Sequence, residues 1–98
     1  MEEGIKDNVG KIDYSEINLN LLDIMAERFT ANKNKYPKGN GKKILDVEEL
    51  EWALFRHIKK IVSPSESDPE TKLDHLAAIG CNVSLILDQL EMQEAIKK

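Results

Sequence analysis

Apolar positions recur at helical spacing in three stretches of the chain. In "EINLNLLDIMAERFTANK", Ile17, Leu21, Met25 and Phe29 fall on one side of a helix with Leu22 and Ile24 beside them, which predicts a first helix from Ile17 to near Asn34. A second periodic stretch opens at Asp46, which has the chemistry of an N-cap with Glu49 three positions on, and Leu45 and Leu50 occupy the two places of a hydrophobic staple. Acids (Glu48, Glu49, Glu51) come early in this helix and bases (Arg56, Lys59, Lys60) late, the order its dipole favours. The third helix is expected after Asp68 and Pro69, read as N-cap and first helical residue. Its Leu73, Leu76, Gly80, Val83, Leu87 and Leu90 alternate three and four apart, a seam suited to lengthwise packing on another helix.

The connections between these stretches are short. "NKYPKGNGKK" and "SPSESDP" are rich in proline, glycine, serine and asparagine and read as loops. Residues 1–15 have two glycines, scattered charges and no sustained period, so they form an arm ahead of a single helical domain, 16–98. The expected architecture is an all-α, small three-helix bundle.

Turning about 100° per residue puts Leu50, Leu54, His57 and Ile61 on the core side of the second helix and Trp52, Phe55 and Val62 on the far side. One short bundle does not cover both stripes, and at 98 residues the core is small, so a homo-oligomer is expected. The net charge of -4 is unsuited to general DNA or RNA binding, which needs a dominant basic field, though it leaves small phosphorylated ligands open. The lone Cys81, with no zinc-type cysteine spacing, fits a reducing cytoplasm, and neither a signal-like start nor a membrane-length apolar run is seen.

Against this background, several polar residues stand out. His75, Asn82 and Gln89, seven apart, make a polar column beside the leucine seam. A buried amide such as Asn82 needs a partner, which is either a structural network fixing helix register or a ligand. His57 on a core face reads first as a satisfied core histidine and second as a ligand contact. Glu70, Asp74, Ala77, Cys81, Ser84 and Asp88 share another face, where small residues admit close approach of a helix or a ligand. Glu48 and Glu51 are three apart and Glu70 and Asp74 four apart, so facing pairs can supply oxygen ligands to Mg²⁺, or else simply act as helix-start acids. The first loop crowds Lys33, Lys35, Lys38, Lys42 and Lys43 around Tyr36, Gly39, Asn40 and Gly41. This is a solvated basic loop or a phosphate cradle with a tyrosine to stack on a base, although it lacks the spacing of a Walker A loop.

Taken in order, "FTANKNKYPKGNGKK", "EWALFRHIKKI" and "SDPETKLDHLAAIGCN" resemble the small phage dATP/dGTP diphosphohydrolase-like family, which looks related to the all-α MazG-type nucleoside-triphosphate pyrophosphohydrolases. The likeness spans about residues 20–90. It implies a cytoplasmic helical oligomer, in the host cytoplasm if phage-encoded, with a nucleotide cleft and a Mg²⁺-assisted cut between the α and β phosphates. Glu48, Glu51, Glu70 and Asp74 are then the implied metal ligands, with Glu48, Glu51 and Asp74 catalytic. Lys33, Tyr36, Lys38, Asn40, Lys42, Arg56, His57, His75 and Asn82 are the implied nucleotide contacts. Two departures stand against that pattern: Gly41 follows "GN" where a tryptophan is expected, and Glu70 and Asp74 are four rather than three apart. They motivate a second expectation, a viral sponge that traps a nucleotide, including a cyclic signal of host defence, without cutting it.

Overall fold

A computed structural model describes residues 10–33 and 43–97. Among these residues the protein is all-helical: α1 spans Asn20–Ala31, α2 Val47–Val62 and α3 Lys72–Lys97. The longest helix, α3, is a spine on which α1 and α2 each pack, and the two shorter helices do not pack on each other. No described helix is long and apolar enough to cross a membrane.

Local chemistry sets the helix starts. Asp46 caps α2, its Oδ1 accepting from the backbone N–H groups of Glu48 (3.0 Å) and Glu49 (3.4 Å). The first helix begins at Asn20 rather than Ile17, because residues 14–17 close a turn and Asn18 Oδ1 accepts from the N–H of Asn20 at 3.0 Å. The start of α3 also differs from expectation. Thr71 and Asp74 form a reciprocal capping box: Asp74 Oδ2 accepts from the N–H of Thr71 (2.9 Å), and Thr71 Oγ1 accepts from the N–H of Asp74 (3.1 Å). Asp68 therefore sits ahead of the helix, where its Oδ1 accepts from the N–H of Glu70 at 2.9 Å and its other oxygen is left for a different task.

The buried stripe of α3 is not the leucine seam. Leu73, Leu76, Val83, Leu87 and Leu90 are all exposed. The buried positions are His75, Ala78, Asn82, Leu85 and Gln89, also three and four apart, together with Ala77 and Cys81. Ala77 and Cys81 lie on the α1 side, where Cys81 Sγ donates to the carbonyl of Met25 (3.4 Å) and burial pushes its thiol pKa up. The predicted close approach of a helix to this small-residue face is therefore made by α1. The expected core side of α2 is half-buried, whereas Trp52, Phe55 and Val62 are exposed, with Trp52 and Phe55 stacked edge to face at 5.9 Å.

Gly80 marks the tightest point of the α1–α3 contact. A Cβ there would lie 2.7 Å from both Cγ and Sδ of Met25. Alanine gains about 1 kcal/mol of helix propensity, which moving the flexible Met25 largely offsets, so Gly80→Ala is expected to be near neutral. Gly80→Leu overpacks the contact and is expected to cost about 1–3 kcal/mol, read as a lower urea midpoint.

Candidate ligand site

Two linked features occupy the α2–α3 side: a chain of hydrogen-bonded titratable groups, and a cavity whose wall shares one of them. The chain begins at Asp68. Its Oδ2 lies 2.6 Å from His75 Nε2, and His75 Nδ1 lies 2.9 Å from Nδ1 of His57 in the middle of α2. The backbone N–H of Glu70, and then the imidazole of His75, hold the Asp68 carboxyl below its ordinary value of 3.8. An ionised carboxylate only accepts, so in the neutral tautomer that donates to it His75 uses Nε2–H and keeps a lone pair on Nδ1, to which His57 donates from its own Nδ1. This arrangement leaves Nε2 of His57 as an acceptor. Burial, reinforced by the nearby Arg28 guanidinium, lowers the His57 pKa and keeps that ring neutral.

Beside the two imidazoles lies Glu70. Its Oε2 accepts from Nη1 of Arg28 at 2.9 Å, and the same nitrogen donates to the carbonyl of Asp74 at 3.3 Å. This bond, more than any other influence, holds the Glu70 carboxyl below its ordinary value of 4.5. Thus α1 reaches the start of α3 through Arg28, while α2 reaches it through His57.

The cavity, of about 750 Å³, is lined by Leu45, Asp46, Glu49, Trp52, Arg56, His57, Asn82 and Leu85, among others. Its size is within the roughly 300–1,000 Å³ typical of small-molecule sites. Asn82 is 3% exposed, and its amide forms no hydrogen bond with another described residue. That distinguishes it from the two other members of the polar column. His75 is satisfied by Asp68 and His57. Gln89 accepts from the N–H of Leu45 (3.0 Å) and donates to the carbonyl of Lys43 (2.7 Å), fixing the stretch that follows the basic loop against α3.

Of the residues expected to contact nucleotide, Arg56, His57 and Asn82 line this cavity, and His75 sits behind His57. Lys33 is exposed just beyond α1, and Tyr36, Lys38, Asn40 and Lys42 lie outside the described residues. Among the described residues, the four acids expected at a metal are not gathered into one group within the chain. Glu48 and Glu51 are exposed on α2, Glu70 is held by Arg28, and Asp74 serves the capping box. Among the described residues the one group of three with ligating atoms within 4.8 Å of each other is His57, Glu70 and His75.

Sequence reasoning missed Arg28, Glu49 and Trp52 as site residues. By spacing Glu49 is a capping acid and Trp52 part of an outer stripe, although both lie one helical turn from Arg56 or Ala53 on the cavity side. For Arg28 no local signal existed, since Glu70 is 42 residues away.

A family model described as dATP/dGTP diphosphohydrolase, N-terminal, matches residues 1–98. The chain belongs to the dATP/dGTP diphosphohydrolase N-terminal family. Comparison with curated proteins and with solved structures found no match. For this family member, the resemblance carried by the basic loop, Arg56–His57 and the segment from Asp68 to Asn82 is thus matched over the whole chain, and the last two of those segments meet at the cavity and its histidine pair.

Proposed function

We propose that this member of the dATP/dGTP diphosphohydrolase family binds a purine nucleotide in the α2–α3 cavity. The observation that carries the reading is the Asn82 amide: it is almost fully buried, has no partner among described residues, and lines a cavity that also presents Arg56. The amide opens on the cavity, where a nucleobase edge offers complementary donors and acceptors. Trp52 supplies a face for base stacking, and Arg56 supplies positive charge for phosphates. In the metal-free protein, neutral His57, backed by His75 and Asp68, offers the Nε2 lone pair as a proton acceptor at the cavity wall.

The family reaction is cleavage between the α and β phosphates, in which water and a nucleoside triphosphate give a monophosphate and pyrophosphate. A Mg²⁺ ion in such a reaction is bound largely through substrate phosphates and one or two carboxylates. The acids Glu48, Glu51, Glu70 and Asp74 do not fit this role as a set within one subunit, so no step is routed through them. The use of Asp74 in the helix cap and the exposure of Glu48 and Glu51 on α2 favour a second reading, retention of a linear or cyclic nucleotide without turnover. Self-association is part of both readings, because it buries the exposed stripes of α2 and α3.

One experiment separates these outcomes. Untagged protein is incubated with deoxynucleoside triphosphates, ribonucleotides and cyclic nucleotides in the presence of Mg²⁺, and both the solution and the heat-denatured protein are resolved by chromatography. Monophosphate and pyrophosphate in solution identify a hydrolase. Unchanged nucleotide released only on denaturation identifies a sponge. The absence of either, for every nucleotide offered, overturns the nucleotide reading.

A further inference from the structure

We propose that His57, His75 and Glu70 form a binding site for one divalent transition-metal ion of the zinc class. The site is distinct from any Mg²⁺ that accompanies nucleotide phosphates and stands whether or not the nucleotide reading holds. The three side chains come from the middle of α2, the loop before α3 and the first turn of α3, and their ligating atoms gather within 4.8 Å. Two imidazoles and one carboxylate suit zinc, cobalt or nickel, and they suit magnesium poorly.

The geometry is close to what such an ion needs. Metal–nitrogen distances of about 2.0–2.1 Å in a tetrahedral site place two ligating nitrogens roughly 3.3 Å apart. The two Nδ1 atoms stand 2.9 Å apart, so they need only separate by a few tenths of an ångström. His75 already has its Nδ1 lone pair turned toward His57. His57 must move its ring proton from Nδ1 to Nε2, a change between two neutral tautomers.

The outer contacts match those that support metal ligands elsewhere. Ligating histidines generally donate their other ring nitrogen to a carboxylate or carbonyl, and His75 donates Nε2–H to Asp68 at 2.6 Å. Arg28 fixes the Glu70 carboxylate in the same manner at 2.9 Å. With Asp68 and Glu70 ionised, Arg28 cationic and both ligating imidazoles neutral, the cluster carries one net negative charge, and a dication brings it to one positive. Arg28 therefore does not exclude the ion. Three protein ligands leave a fourth position for water, and His57 also belongs to the cavity wall.

Untagged protein titrated with Zn²⁺ in a calorimeter is expected to take up one ion per chain. Loading with Co²⁺ in its place is expected to produce visible bands of tetrahedral character, and Tm is expected to rise on loading and return on chelation. His57→Gln and His75→Gln are each expected to weaken binding at least 100-fold. Asp68→Asn, which acts through His75 as a positioning residue, is expected to weaken it about 10- to 100-fold. Glu94→Gln, on the far part of α3, is expected to change nothing. His57→Gln keeps the test open should His75→Gln fail to fold by circular dichroism. Absence of saturable one-to-one binding in the folded parent, or binding that survives His57→Gln, overturns the site.

Discussion

Asn82→Leu is expected to leave the helices folded and at least as stable as in the parent, while nucleotide affinity falls at least tenfold. The two halves of this result come from the same atoms. Asn82 is 3% exposed and its amide has no partner among described residues, so the folded chain gains nothing from that polarity. A leucine, branched at the same atom but somewhat larger, removes a polar group that no described residue pairs with and adds apolar contact beside Leu85. The expected gain is about 0–2 kcal/mol, or up to roughly 4–8 °C in Tm for each kcal/mol. A nucleobase that meets the amide loses its hydrogen bonds, and a base edge facing an apolar wall is rejected by roughly 10- to 100-fold or more.

The neighbouring column position supplies the contrast. Gln89 uses its amide on the backbone of Lys43 and Leu45, so Gln89→Leu leaves a carbonyl and an N–H unsatisfied and is expected to destabilise by about 1–3 kcal/mol. Thermal melts of the two variants, read with calorimetric nucleotide binding, decide the matter. If Asn82→Leu destabilises like Gln89→Leu and binds nucleotide as the parent does, the amide sets helix register and the cavity is not where the ligand sits.

The fold class was legible because it rests on local rules. The Asp46 cap, the proline- and glycine-rich connections and the periodic apolar residues each report on their own neighbourhood, and all three helices are found where these signals put them to within a turn. The start of α3 shows two local signals in competition. Asp68–Pro69 looked like cap and first residue, yet "TKLD" at Thr71–Asp74 holds the reciprocal box that wins, and its pattern was present to be read. What apolar counting could not settle was which seam of α3 meets α2. Two seams with the same three-four spacing run along this helix, and the chain buries the one carrying His75, Asn82 and Gln89. Burial there depends on partners distant in sequence: His57 is 18 residues from His75, Lys43 46 from Gln89, and no periodicity encodes such pairs. The arrangement of the acids is a question of the same kind. Acid spacing places two carboxylates on one helical face but says nothing of partners on another helix, such as the Arg28 that orients Glu70.

Of all single substitutions, His75→Ala is expected to cost the most stability, on the order of 3–5 kcal/mol. That is a large share of the 5–15 kcal/mol typical of a domain. His75 is 2% exposed, and its removal opens a cavity at the junction of α2 and α3 while stripping both Asp68 and His57 of their partner. The pH dependence of the parent reports on the same junction. Burial and Arg28 depress the pKa of His57 from its ordinary 6.5, so between the two values the unfolded chain binds a proton that the folded chain refuses. Stability from this group is complete above pH 6.5 and drains away as pH falls through that window to the folded value. Glu70, depressed from 4.5 chiefly by Arg28, and Asp68 and Asp74, depressed from 3.8 by backbone N–H groups, have the same sign at lower pH: their contributions hold above those ordinary values and vanish as acid reaches the folded ones. Urea midpoints measured across pH are therefore expected to fall in two stages. His57→Gln, which keeps a polar side chain at the junction but cannot titrate, is expected to abolish the upper stage and preserve the lower. A parent protein with flat stability from pH 7 to 5 would show that His57 is as easily protonated folded as unfolded, and the neutral His57 ring inferred from its burial and from Arg28 would not stand.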